Sequence, residues 1–74
     1  MGKLKVLSGK AVCQILKQHN FVEVRRRGSH IVMQRHNSPE ETITVPVPNH
    51  KELRIGTLLS IIRQSGLSRG KFET

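Results

Sequence analysis

The chain has 74 residues, enough for one domain spanning residues 1–74 and too few for a core that encloses a large cofactor pocket. Thirteen Lys and Arg residues against five Asp and Glu residues give a formal net charge of +8, which favours nucleic acid as a partner, although an acidic protein would fit the charge equally well. The single cysteine excludes an internal disulfide and favours a reducing cytoplasm.

The segment Met1–Leu7 alternates lysine with apolar residues and predicts neither a secretion signal nor a membrane span. Since no basic amphipathic helix with aromatic residues follows, we expect no membrane partner.

The first predicted element is a helix over Gly9–His19. Ser8 is a favourable N-cap residue, and Asn20 favours a left-handed stop. The apolar residues that fall on one helical face are Val12, Ile15 and Leu16.

Three short strands with tight turns are predicted next. Gly28-Ser29 marks the first turn, Asn37-Ser38-Pro39-Glu40 marks the second, and Pro46 and Pro48 are expected to end the third strand. The predicted strands are Phe21–Arg25, His30–Arg35 and Thr42–Val45.

A second helix follows, with Gly66 as its expected C-terminal glycine. Gly56 near its start suits a close approach of backbone or ligand. The order predicts a small α+β domain, α-β-β-β-α, with a three-stranded antiparallel sheet and both helices on one face, the architecture of double-stranded-RNA-binding domains. The apolar face of the second helix is formed by Leu58, Leu59, Ile61 and Ile62.

The most informative segment places three arginines before a tight turn that ends at His30. Arginine matches phosphate oxygens, Gly28 lets a phosphate approach the backbone, and Ser29 offers a hydroxyl. Imidazole gains and loses protons near neutral pH, so the segment could bind a phosphodiester and activate the adjacent 2′-hydroxyl. A solvated loop that only contacts phosphate is the alternative. The arginines are Arg25, Arg26 and Arg27.

The remaining candidates favour structural readings. His19 suits a helix C-terminus, His36 is expected to face solvent, and His50 lies on a loop, where a second acid/base role or a phosphate contact stays open. Glu40-Glu41 is better explained as a charged turn than as a magnesium site, and no metal or other cofactor is expected. Cys13 is expected to pack in the interior.

Other basic residues could extend the RNA-binding surface if both helix ends border the hairpin, although a scattered basic surface is the alternative. The candidates for RNA contact are Lys10, Lys51 and Arg54, with Lys3, Lys5 and Arg63 nearby in sequence.

The chain resembles the HicA family of small messenger-RNA-cleaving toxins, also described as YcfA-like proteins, from about Leu7 to Phe72. The matching segments are Ser8-Gly9-Lys10, Gly28-Ser29-His30, Thr44-Val45-Pro46, Lys51-Glu52-Leu53 with Gly56-Thr57-Leu58, and Ile62-Arg63-Gln64-Ser65-Gly66-Leu67-Ser68.

This resemblance implies a ribosome-independent ribonuclease of double-stranded-RNA-binding-like fold, with one essential histidine at His30 and a HicB-type antitoxin that masks the active surface. Family members often carry a histidine after the Pro-Val of strand three, where this chain has Pro48 and the nearest histidine is His50. The competing functions are an RNA-binding module without cleavage and a basic surface that only docks an acidic protein.

Overall fold

The computed structural model describes residues 6–73 and confirms the α+β prediction. In chain order, a helix precedes a three-stranded antiparallel sheet and a second helix follows it, and a short 3-10 helix comes last. Within the described part of the chain, no helix is long and apolar enough to cross a membrane. The elements are α1 (Gly9–Gln18), β1 (Val22–Arg27), β2 (His30–Ser38), β3 (Glu41–Pro48), α2 (Ile55–Ser65) and the 3-10 helix (Arg69–Phe72).

Helix α1 begins and ends on local signals that are visible in the sequence. The Ser8 hydroxyl accepts a 3.0 Å hydrogen bond from the Ala11 amide, which satisfies one of the free donors of the first turn. His19 is the C-cap residue, and Asn20 turns the chain with a φ of 72°. The predicted left-handed stop is therefore confirmed.

The strands follow the order β1-β2-β3, so β2 is central and both other strands are edges. Ile31 pairs with Val47 and Met33 with Val45, and all four side chains are buried. They join residues of both helices in a single apolar cluster, so the predicted packing of both helices on one sheet face is confirmed. Among residues 6–73 no helix lies against the other face, which we call the open face.

The predicted end of strand β3 is wrong. Pro46 and Pro48 lie inside the strand, paired with Val32 and His30, whereas the sequence reading ended the strand at Val45. Proline is tolerated in an edge strand when its nitrogen faces away from the neighbouring strand. Because the two prolines are two residues apart, their nitrogens share that orientation.

The other strand boundaries also differ from the sequence prediction. Strand β1 starts one residue later and continues through Arg27, while β2 extends to Ser38. The second turn is consequently shorter than predicted and is made by residues 39 and 40.

Helix α2 ends as predicted at Gly66, which has a φ of 73°. Its apolar face is narrower than predicted because Leu59 is 37% exposed. Gly56 also differs from expectation, since a Cβ there would meet nothing within 4 Å and no close approach requires glycine. The buried residues of this helix are Leu58, Ile61, Ile62 and Ser65.

Candidate active site

His30 begins the central strand and its side chain is exposed on the open face. The neighbouring residue Ile31 is 2% exposed and points into the core, so the alternation along a strand turns His30 to the opposite side. Had the ring been buried, it could not meet a polynucleotide. Its exposure satisfies the first geometric requirement for the chemistry predicted at this position.

The two cross-strand neighbours of His30 complete the immediate site. Arg27 of β1 and Pro48 of β3 are its register partners and therefore share the open face with it. Directly opposed side chains in an antiparallel pair have Cβ atoms about 4.5–5.5 Å apart. The side chain of His30 thus projects from the sheet between the side chains of Arg27 and Pro48.

The hairpin turn has the geometry that the sequence predicted. Gly28 has a φ of 57°, a conformation that glycine adopts without strain, and open space surrounds the position of its missing Cβ. Gly28 and Ser29 are both exposed. A phosphate therefore has access to the backbone beside His30.

A β-bulge at Val24 determines on which face Glu23 lies relative to the arginines. The register shifts between Glu23, which pairs with Met33, and Arg25, which pairs with Val32. Arg25 shares the open face with Arg27 by alternation, and the extra residue places Glu23 on the face of the helices instead. Without the bulge, the alternation would place Glu23 and Arg25 on the same face.

The structure does not bring Arg26 to the open face. It pairs in register with the buried Ile31, and its Nε donates to Glu23 Oε2 at 3.0 Å. This hydrogen bond holds the pKa of the Glu23 carboxyl below its ordinary value and raises the pKa of the guanidinium. The only acid of β1 is thereby paired on the side away from His30.

Beyond His30, the β2 and β3 part of the open face is apolar at Val32 and Pro46 and polar from Gln34 onward, and β2 contributes no carboxylate. Gln34 Nε2 donates to Thr44 Oγ1 at 3.2 Å, and His36 Nδ1 lies 2.9 Å from Thr42 Oγ1. His36 is exposed, as predicted, but it is six residues from His30, or about 20 Å along the strand. The two rings therefore belong to separate sites.

Backbone hydrogen bonds bring the start of α1 and the segment after β3 to the His30 end of the sheet. The Asn49 amide donates to Ser29 O at 2.6 Å, and the Gly9 amide donates to His50 O at 2.9 Å. Lys10 and Lys51 adjoin these bonded residues in sequence and are exposed, whereas Arg54 precedes α2. Lys3 and Lys5 lie outside the described residues.

The remaining candidate residues, Cys13, His19 and His50, differ in their burial. Cys13 is 5% exposed within the core, as predicted, and burial raises the pKa of its thiol. His19 is half-buried at the C-cap of α1, and His50 is exposed. In residues 6–73, no three His, Cys, Asp or Glu side chains are grouped so that they could hold a metal ion.

Sequence reasoning missed three residues that shape the site: Gly9, Pro48 and Asn49. Pro48 was read as a strand terminator, although two prolines spaced two residues apart are also compatible with an edge strand. The contacts of Gly9 and Asn49 are long-range backbone contacts, and no local pattern in the sequence indicates them.

Comparison with models of known protein families gives a match for this chain. Residues 9–67 match the family model described as HicA toxin of bacterial toxin-antitoxin, a range that begins at α1 and ends just after α2. The search of curated proteins gives no match. Since the match covers well over half of the 74 residues, the chain belongs to the HicA toxin family of bacterial toxin–antitoxin systems.

Proposed function

We propose that this toxin is an endoribonuclease that cleaves messenger RNA without the ribosome and without a metal ion, in the cytoplasm. The observation that carries the proposal is the exposed imidazole of His30 on the open face, with Arg27 opposite it in the neighbouring strand. A group that transfers protons and a neighbouring positive charge are the combination that supports phosphodiester cleavage.

The proposed reaction is a transesterification within the RNA chain. His30 accepts the proton of a ribose 2′-hydroxyl, whose oxygen attacks the adjacent phosphorus as the bond from phosphorus to the 5′-oxygen breaks. The leaving oxygen takes a proton from water or from a second group. The products are a 2′,3′-cyclic phosphate and a 5′-hydroxyl, and Arg27 stabilises the charge that develops on the phosphate oxygens.

RNA binding is proposed to use the basic residues around this end of the sheet. Gly28 and Ser29 offer an accessible backbone and a hydroxyl beside His30. Among the sequence candidates, Arg26 has the weakest support because its guanidinium is paired with Glu23. The candidates on the open face are Arg25 and Arg27, while Lys10 and Lys51 are exposed at the His30 end of the sheet and Arg54 lies further along the chain.

Membership of a toxin–antitoxin family implies an antitoxin partner. We propose a HicB-type antitoxin that covers the open face and so keeps His30 away from RNA. The formal charge of +8 favours an acidic contact surface on that partner.

The deciding experiment compares His30→Ala with His36→Ala. Both histidines are exposed on the open face of β2, so the two variants make the same chemical change on the same strand. We expect His30→Ala to abolish growth arrest and to lower the cleavage rate by about 10²–10⁴-fold, the usual contribution of general acid–base catalysis. His36→Ala should retain most activity, and circular dichroism should show both variants folded.

Cleavage products and chelation test the mechanism separately. Chelator-resistant activity and ends that carry 2′,3′-cyclic phosphate are expected. Ends with a 3′-hydroxyl would refute the reaction. RNA that stays intact with saturating, antitoxin-free protein would support the binding module instead, and weak RNA binding without growth arrest would support a surface that only docks an acidic protein.

A further inference from the structure

Gly9 is a buried residue at the start of α1 that lies against the end of β3. A Cβ on Gly9 would collide with the carbonyl oxygen of Pro48 and come within 3.0 Å of the Asn49 Cα. Both are backbone atoms, which cannot move aside as a flexible side chain can. Glycine is therefore required here by close packing.

Two hydrogen bonds join the chain around Gly9 to the segment that follows β3. The Gly9 amide donates to His50 O at 2.9 Å, and the Leu53 amide donates to Leu7 O at 2.8 Å. The segment between β3 and α2 is thus fixed to the N-terminal end of α1 on both sides of Lys51 and Glu52.

The same segment also reaches the hairpin that carries the candidate base. Asn49 donates its amide to Ser29 O at 2.6 Å, one residue before His30, and Pro48 is the register partner of His30 itself. A Gly9 side chain would therefore displace Pro48 and Asn49, which contact the hairpin at His30 and Ser29.

We infer that Gly9 is a positioning residue for His30, acting through Pro48 and Asn49. The inference rests on the proposed ribonuclease function. Because Gly9 has no side chain, α1 can pack closely against Pro48 and Asn49. Asn49 binds the Ser29 carbonyl, and Pro48 lies opposite His30 in β3. A displacement of about 1 Å at a catalytic group can cost about 10²-fold in rate, so a small shift is sufficient.

The test compares Gly9→Ala with Gly56→Ala. Both glycines lie in the first turn of a helix, but a Cβ on Gly56 would meet nothing within 4 Å. For Gly9→Ala we expect kcat to fall about 10- to 100-fold with KM changed less than twofold, and the NMR resonances of the His30 ring to shift. Gly56→Ala should leave kcat, KM and those resonances unchanged.

A second variant, Asn49→Pro, tests the same inference if Gly9→Ala does not fold. Asn49→Pro keeps Gly9 but deletes the amide that donates to Ser29, and it should reproduce the loss of kcat and the shift of the His30 resonances. Residue 49 is exposed, so no core packing is lost.

Unchanged kcat and unchanged His30 resonances in a folded Gly9→Ala or Asn49→Pro protein would overturn the inference, even if the protein is less stable. Cleavage by the wild-type protein in the same assay tests the proposed function separately. If the wild-type protein does not cleave RNA, the proposed function fails, and the NMR comparison still decides whether Gly9 positions His30.

Discussion

Arg25, Arg26 and Arg27 are consecutive in the chain but lie on two different faces of the sheet. The residue types identified this segment and His30 as the candidate site, because arginine and imidazole are the groups that phosphodiester chemistry uses. The division among the three arginines follows from strand alternation once the Gly28-Ser29 turn pairs Arg27 with His30. The position of Glu23 was not predictable, since it depends on a bulge at Val24 that no local pattern indicates.

Arg27→Gln and Arg26→Gln test this division with two equal losses of charge. We expect Arg27→Gln to lower the cleavage rate by about tenfold or more, because a charge-assisted hydrogen bond contributes about 1.5–3 kcal/mol. Arg26→Gln should leave cleavage within about twofold, since its guanidinium pairs with Glu23 on the other face. Equal losses in single-turnover assays would contradict the assignment.

At the level of elements, the sequence predicted both helices well because caps and stops are local. Ser8, Asn20 and Gly66 each act at the position that their chemistry favours. The strands were predicted less well, because the permitted position of a proline depends on whether the strand is an edge. That property is decided by the whole sheet and not by the residues near Pro46.

The cap of α1 gives a stability prediction. Ser8→Ala removes the acceptor of the Ala11 amide and should lower the free energy of unfolding by about 1 kcal/mol, and Tm by about 4–8 °C. Ser68→Ala is the control, because Ser68 caps the 3-10 helix without a side-chain hydrogen bond and should leave Tm unchanged. Equal falls in thermal denaturation would show that the Ser8 hydroxyl contributes nothing specific.

For the whole molecule, composition predicted a polyanionic partner but not the face that meets it. Packing both helices on one side leaves the other side of the sheet free, and the bulge keeps Glu23 off that side. Both effects arise from tertiary structure, so net charge alone could not assign the surface.

Salt dependence measures how many phosphates this surface contacts. For His30→Ala protein and single-stranded RNA, the logarithm of affinity should fall linearly with the logarithm of salt concentration, by about 0.7 per phosphate contacted. Adding Arg25→Gln and Arg27→Gln should reduce the slope by about 1.4. The control carries Arg26→Gln and Arg69→Gln instead, two arginines already paired with Glu23 and Glu73, and should keep the original slope.

The prolines of β3 have a consequence for how copies of this protein meet one another. With no amide hydrogen at Pro46 or Pro48, the outer side of that strand cannot complete a ladder with a strand from another molecule. At the opposite edge, the β-bulge at Val24 interrupts β1, and the neighbouring arginines repel those of a second copy. These two edge features disfavour the assembly of concentrated toxin into cross-β fibrils, even though one face of the sheet is uncovered.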